Sequence, residues 1–253
     1  MGAEPPFLDS VVLITGAASG LGALMAQRLA RQQARLILGD RNADGVQRVA
    51  AELRQMGADV IASGCDVTRE GDICQLVDEA LARWGRLDIA VNNAGMSPPM
   101  KPLVETSEAD LDAAFAVNVK GTFFGMKHQI AAMLKQQSGT ILNVASAAGI
   151  GAAPKLAAYA AAKHAVIGLT KTAAVEYARK GIRVNAICPF FTATPMVTES
   201  APSGMLDFLS NATPMKRLAK PDEVVEVMLS LCSPGNTYMT GQSVAVDGGV
   251  SAL

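Results

Sequence analysis

No stretch of this sequence is long and apolar enough to span a bilayer, although half of its 253 residues are hydrophobic and mean hydropathy is +0.25. Charges or turn residues interrupt every window before ~20 unbroken apolar residues accumulate. Met1 to Phe7 has neither the basic stretch nor the apolar run of a secretory leader, and Pro6 stands where a myristoylation signal wants Ser or Thr. An excess of one charge is also missing. The 22 Lys and Arg against 23 Asp and Glu leave a net charge of −1, which argues against nucleic-acid or anionic-membrane partners. The four cysteines, Cys65, Cys74, Cys188 and Cys232, show no CxxC spacing, so reduced thiols in a cytoplasmic protein are expected. His128 and His164 have no Cys or acidic cluster at ligand spacing, and no metal site is expected. With no repeat, low-complexity tract or dividing linker, residues 1–253 read as one domain.

What the chain does have is alternation. Short apolar runs at Val11–Thr15, Arg35–Gly39, Val60–Ser63, Leu87–Val91, Thr140–Val144, Arg183–Ile187 and Ser243–Val246 read as strands. Between them lie helical stretches near Leu21–Gln33, Ala43–Met56, Asp72–Trp84, Ser107–Lys135, Ala157–Lys180 and Pro221–Leu231. Strands apolar on both faces and alternating with helices predict an α/β fold, a doubly wound parallel sheet with helices on both sides. From Pro189 to Pro221 the alternation lapses, and the stretch about 190–215 is expected to be a lid over substrate.

The first strand runs into Gly16-Ala-Ala-Ser-Gly20-Leu-Gly22, a glycine-rich turn that opens a helix. Such a turn presents backbone N–H groups to a pyrophosphate. The same glycines also occur at purely structural turns; Asp40 distinguishes the two readings. It ends the second strand, 18 residues after Gly22, near the ~20 expected of a carboxylate on an adenosine ribose.

Thr15-Gly-x-x-x-Gly-x-Gly22, Asn92-Asn-Ala-Gly95 and Tyr159-x-x-x-Lys163, in this order, resemble the short-chain dehydrogenase/reductase family over about Val11 to Gly249. The resemblance implies a Rossmann-like sheet of about seven strands, an NAD(P)-dependent oxidoreductase of small molecules, and a homotetramer. It implies that Thr15, Gly16, Ser19, Gly20, Leu21 and Gly22 cradle the cofactor, that Asp66 and Val67 flank the adenine, and that Asn93, Ala94 and Gly95 lie along the nicotinamide-side ribose. Pro189, Thr192 and Thr194 then belong beside the nicotinamide. Asp40 should repel a 2′-phosphate and favour NAD over NADP; Arg41, whose guanidinium could pair with that phosphate, is the opposing residue.

Tyr159 and Lys163, four apart, share one helix face. A free phenol titrates near ~10, and a neighbouring ammonium favours its ionised form. An unremarkable solvated helix offers the same pair, so the other motifs decide in favour of catalysis. By resemblance Tyr159 is the acid/base, and Lys163 lowers its pKa and also holds the ribose. Ser146, 13 residues before Tyr159, orients the substrate oxygen, and Asn118 supports a proton-relay water at a helix irregularity. The chain departs from the family at Phe190, where Pro189 is usually followed by Gly. Phe190, Phe191, Met196, Met205 and Leu206, with Ser146, are the expected pocket residues, joined in the lid by Phe208 and Leu209. Val184 to Met215 contains no Lys or Arg, which favours uncharged, apolar secondary alcohols or ketones, cyclic or aryl-bearing. Lys101 and Lys155 border nearby loops. The alternatives are a 3-oxoacyl-carrier-protein reductase and a nucleotide sensor without catalysis.

Overall fold

The computed structural model describes residues 4–199 and 204–252. Seven strands form one parallel sheet in the order β3-β2-β1-β4-β5-β6-β7. They are β1 (Val11–Thr15), β2 (Arg35–Asp40), β3 (Val60–Gly64), β4 (Ile89–Asn92), β5 (Gly139–Val144), β6 (Ile182–Pro189) and β7 (Ser243–Val246). The order reverses between β1 and β4, and the chain leaves the two strands in opposite directions. A crevice therefore opens at their carboxyl ends.

Each strand sends alternate side chains to opposite faces. In β1, Val12 and Ile14 pack with α1 (Gly20–Ala30), α2 (Ala43–Gln55) and α9 (Pro221–Cys232), through Met25, Leu29, Val46, Leu53 and Met228. Val11 and Leu13 pack on the other face with α3 (Glu70–Trp84), α5 (Gly121–Gln136) and α6 (Ala157–Tyr177), through Leu76, Met126, Met133 and Ala174. Two greasy layers around a parallel sheet account for the apolar runs in the sequence.

Helix ends moved where local chemistry overrode periodicity. The helix expected to start at Asp72 begins at Glu70, and Gly85 stops it in the left-handed region (φ 72°). The long helix expected over 107–135 is not regular. It runs as α4 (Glu108–Ala114), a π-helical stretch Phe115–Lys120, then α5. The cause is Asn118, whose Nδ2 donates to the Ala114 carbonyl at 3.0 Å, the acceptor that a regular turn reserves for a backbone N–H. A Ser107–Asp110 capping box starts α4. The region expected to be a lid carries two short helices, α7 (Pro195–Thr198) and α8 (Met205–Asn211).

Two glycines on neighbouring helices give opposite expectations. A Cβ at Gly125 in α5 would collide with Asn92 Oδ1, so Gly125→Ala should lower unfolding free energy by about 1–3 kcal/mol. Gly168, exposed inside α6, faces open space, so Gly168→Ala should raise it by about 0.5–1 kcal/mol. Urea titration of both proteins checks the pair; equal shifts would contradict it.

Candidate active site

At the crevice, β1 ends in Thr15 and the chain turns through Gly16 at φ +67°. A Cβ there would sit 2.8 Å from the Ala94 Cα, so only glycine lets the loops after β1 and β4 touch. Gly22 is equally confined, because a Cβ would collide with the Gly16 carbonyl oxygen. Asn93 fastens the contact. Its Nδ2 donates to the carbonyls of Thr15 and Gly16, each at 2.9 Å, while Thr15 Oγ1 accepts the Asn93 and Ala94 backbone N–H groups, each at 3.2 Å. Ser19 precedes α1 without a side-chain cap, which leaves the first-turn N–H groups facing the crevice. Thr194, from the chain after β6, lies across the turn, its methyl 3.9 Å from where a Gly20 Cβ would be. Leu21 is partly buried against the core below.

Asp40 ends β2 beside this turn. Its Oδ2 accepts the Ala18 N–H at 3.0 Å and its Oδ1 the Asn42 N–H at 2.9 Å, so the carboxylate is locked in orientation. Arg41 is exposed, and its charge helps lower Asp66. The main cause of that lowering is the backbone and side-chain hydrogen bonds from Thr68 to the Asp66 carboxylate. Val67 is buried against Gly121.

Tyr159 stands in the first turn of α6, and Lys163 follows one turn on. The Lys163 ammonium is 5.6 Å from the Tyr159 ring centroid and donates to the Val144 carbonyl at 2.8 Å. Only 4% of Lys163 is exposed, and burial pushes its pKa down to about 8. Burial pushes the Tyr159 phenol up, partly offset by the Ser146 side chain. The ammonium was expected to lower the Tyr159 pKa; in the protein alone, desolvation of the phenolate raises it. Ser146, one bond beyond Ala145 at the end of β5, accepts the Ala148 N–H at 3.2 Å and reaches the Pro189 carbonyl at 3.5 Å. Asn118 is buried, with Oδ1 accepting the Met96 N–H at 3.1 Å and Nδ2 donating to the Met96 carbonyl at 2.9 Å. Gly95 joins the two groups: a Cβ there would lie 2.9 Å from Asn118 Oδ1 and 3.5 Å from Lys163 Nζ.

Beyond Pro189, Phe190 and Phe191 pack edge to face, centroids 4.5 Å apart. Thr192 is buried, its hydroxyl donating to the Phe190 carbonyl at 3.0 Å. Met196 and Phe208 are exposed and Leu206 half-buried, whereas Leu209 packs inward at 4% exposure. The side chain of Met205 lies outside the described residues. Three features escaped the sequence reading. A cleft beside Tyr159 is walled by Pro98, Pro99 and Leu156; Lys101 at its rim is paired with Asp110 at 2.8 Å; and the Cys188 thiol, raised to about 11 by burial, lies near Lys163. The Asp110 signal, a capping-box acid nine residues after a lysine, was available in principle. His128 faces Glu70 at 3.0 Å, and His164 Nδ1 meets the Ala160 carbonyl. A more open cleft among Ser10, Asp88, Thr140 and Arg183 is at the amino ends of the strands, away from all these groups.

A family model described as enoyl-(acyl carrier protein) reductase matches residues 16–251. Among curated relatives, a 3-oxoacyl-[acyl-carrier-protein] reductase of Thermotoga maritima is 39% identical over 95% of this chain and 97% of its own. A cis-4-hydroxycyclohexanecarboxylate dehydrogenase of Sinomonas cyclohexanicum is 38% identical over 98% of each. Among solved structures, levodione reductase superposes with a TM-score of 0.93 at 36% identity, covering 97% of this chain and 99% of that one. ElxO with NADP bound superposes at 0.92 and 32% identity, covering 97% and 100%. A 3-ketoacyl-(acyl-carrier-protein) reductase from Brucella melitensis complexed with NADH superposes at 0.89 and 35% identity, covering 97% and 99%. Among the described residues, no helix is long and apolar enough to cross a membrane.

The buried lysine predicts a pH dependence of stability. Below about pH 8 the folded and unfolded chains both hold the Lys163 proton, and the burial penalty is present in full. Between about 8 and the ordinary 10.5 only the unfolded chain holds it, so stability rises with pH. Urea unfolding of wild type and Lys163→Met across this window should show a steeper upward slope in wild type, with the thiols common to both cancelling. Equal slopes would mean that Lys163 is not desolvated.

Proposed function

Because this chain belongs to the short-chain dehydrogenase/reductase family, whose members are oxidoreductases using a nicotinamide cofactor, we propose that it is an NAD-dependent enzyme interconverting a secondary alcohol and a ketone. The observation that carries the reading is the convergence of Tyr159, Lys163 and Ser146 at the carboxyl ends of the strands, across from a glycine turn with no room for a Cβ. That cradle and the uncapped start of α1 suit a pyrophosphate. Thr15, Gly16, Ser19, Gly20, Leu21 and Gly22 would hold it; Asp40 and Arg41 flank the adenosine ribose, Asp66 and Val67 the adenine. Asn93, Ala94, Gly95, Tyr159 and Lys163 would lie along the second ribose, and Pro189, Thr192 and Thr194 beside the nicotinamide. Bound NAD supplies the hydride acceptor and a positive ring charge at this end of the crevice.

With that charge and the Lys163 ammonium nearby favouring ionisation, the Tyr159 phenolate would take the hydroxyl proton of the alcohol as the carbinol C–H gives up its hydride, and in reverse the Tyr159 phenol would give its proton to the ketone oxygen. Ser146 donates a hydrogen bond to the same substrate oxygen as charge gathers there. Asn118, with the π-helical backbone around it, supports a water that passes protons on from Lys163. Phe190, Phe191, Met196 and Leu206 would enclose an uncharged cyclic or aryl-bearing substrate. Lys101 is neutralised by Asp110, which supports the apolar reading of the pocket. The likeness to the Thermotoga maritima protein favours a second reading, a 3-oxoacyl-carrier-protein reductase. The lack of any Lys or Arg from Val184 to Met215 weighs against it. We place the enzyme in the cytoplasm as a homotetramer of single-domain subunits, a reading supported by exposed apolar residues Leu103, Val104, Leu111 and Phe123 near α4 and α5.

Two measurements test the reading. Tyr159→Phe should lower kcat by about 10²–10⁴ while leaving NADH binding within about twofold, as expected when a general acid/base is lost. Retention of more than about a tenth of wild-type turnover on cyclohexanol or 1-phenylethanol would sink it. For the cofactor, the oriented Asp40 carboxylate should make kcat/KM larger with NAD than with NADP, and Asp40→Ser should narrow the gap. A wild-type preference for NADP would refute the assignment, and a higher kcat/KM on a 3-oxoacyl thioester than on neutral ketones would favour the second reading.

A further inference from the structure

The central strands carry amides where an apolar side chain would be ordinary. Asn92 on β4 and Gln129 on α5 exchange two hydrogen bonds, Asn92 Nδ2 to Gln129 Oε1 at 3.0 Å and Gln129 Nε2 to Asn92 Oδ1 at 2.8 Å. Asn92 Nδ2 also donates to Asn143 Oδ1 on β5 at 2.9 Å. Asn143 Nδ2 donates to Thr170 Oγ1 on α6 at 2.9 Å and touches Met126 Sδ at 3.2 Å. Thr170 passes its own proton to the Val166 carbonyl at 2.8 Å. None of the four polar residues is more than 4% exposed. A buried, fully paired chain of this kind specifies one arrangement, because any slip strands several polar groups without partners.

We propose that Thr170, acting through Asn143, is a positioning residue that sets the height of the Tyr159–Lys163 helix against the Ser146 strand. The proposal rests on the roles given above to Tyr159, Lys163 and Ser146. Half of the buried residues of α6 are alanine (Ala158, Ala162, Ala173 and Ala174), which offer shallow ridges to interlock on either side of Val166 and Ile167. Apolar burial itself has no direction, so α6 can slide along the sheet at little cost unless a directional bond holds it. Two such bonds tie α6 to β5, Lys163 to the Val144 carbonyl within the site and Asn143 to Thr170 two turns below it, and only the second lies outside the reacting groups. Ser146 lies three extended residues beyond Asn143, a rise of about 10 Å. Lys163 lies seven helical residues before Thr170, a rise of about 10.5 Å. As the crossover between parallel strands β5 and β6, α6 runs antiparallel to them, so the two rises point the same way and bring Lys163 level with Ser146. Asn92 and Gln129 then tie the same rung to β4 and α5, the elements that lead to Gly95 and follow Asn118.

The test compares Thr170→Val, which keeps shape but loses the acceptor for Asn143, with Thr170→Ser, which keeps the hydroxyl. Turnover is followed with NAD+ and cyclohexanol or 1-phenylethanol, and cofactor binding by the fluorescence of added NADH. At saturating NAD+, Thr170→Val should lower kcat about ten- to hundredfold, the scale of a misplacement of ~1 Å, with alcohol KM within about twofold, while any loss of NADH affinity reports the same shift of Lys163 against the ribose. Thr170→Ser should recover kcat to within about threefold of wild type. A folded Thr170→Val with wild-type kcat overturns the proposal even if it melts at lower temperature, and so does an equal loss in the serine variant. If Thr170→Val does not fold, Gln129→Met decides in the same assay, a fall in kcat at saturating NAD+ with alcohol KM within about twofold supporting the proposal and unchanged kcat overturning it. Tyr159→Phe, run alongside, separates the two layers. Full activity there removes the catalytic reading, whereas an inactive Tyr159→Phe beside a fully active Thr170→Val removes only the positioning role.

Discussion

The site depends on a contact between two pieces of bare backbone. The loops after β1 and β4 approach until a single Cβ at Gly16 would meet the Ala94 Cα at 2.8 Å. Because the strand order reverses there, these two loops would otherwise diverge. The Asn93 side chain, bonded to the Thr15 and Gly16 carbonyls, fixes the floor of the crevice before any ligand enters. On that floor the uncapped end of α1, the Asp40 carboxylate and the Lys163 ammonium all face one space. Asn93 thus acts as a strut, and its value to a bound cofactor is indirect.

A second constraint is electrostatic and opposes the first. Placing Lys163 where 4% of it is exposed costs solvation of its charge, and its pKa falls to about 8. Burying Tyr159 in the same crevice raises the phenol. Within the protein alone the phenol is therefore held neutral beside a lysine that keeps its proton up to about pH 8, whereas proton abstraction needs the phenolate. Only one backbone acceptor, the Val144 carbonyl, holds the ammonium. An added positive charge in the crevice favours the phenolate but disfavours the ammonium, so its two effects on the pair have opposite sign. On the proposed reading, hydrogen bonds to a ribose would offset the second effect, which gives Lys163 a reason to serve both partners.

The sequence made the strands legible because burial on both faces leaves apolar runs. All seven lie within two residues of their expected positions, and Ser243–Val246 coincides with them. The glycine turn and the Tyr159 spacing were legible because backbone clearance and helical periodicity are local properties. Helix interruption at Asn118 was less so. The irregularity there was expected from the family resemblance alone, since nothing in Ala116-Val-Asn-Val marks a π turn until the Asn118 amide is seen to compete for the Ala114 carbonyl. The Asn92–Gln129–Asn143–Thr170 chain was invisible for a different reason. Its members are 14 to 37 residues apart in sequence order, and their pairing exists only once the β4–β5 register is set.

The substrate end obeys weaker rules. Phe190 is anchored at its backbone by the Val246 carbonyl, at 3.0 Å, and at its ring by Phe191, so its path is an extension of the sheet. Further along, Met196 and Phe208 expose half or more of their surface, while Leu209 alone among the named lid residues is nearly buried. Apolar side chains left in water are under a driving force to find cover. The segment is held by Leu209, by the Thr192–Ala219 bridge and by the Met215 N–H on the Gly248 carbonyl, and on the proposed reading an apolar substrate would give these side chains cover. The same exposure explains why composition alone spoke of a lid but not of its shape. Side chains that bury so little of themselves against the body leave no periodic pattern from which a shape could be read.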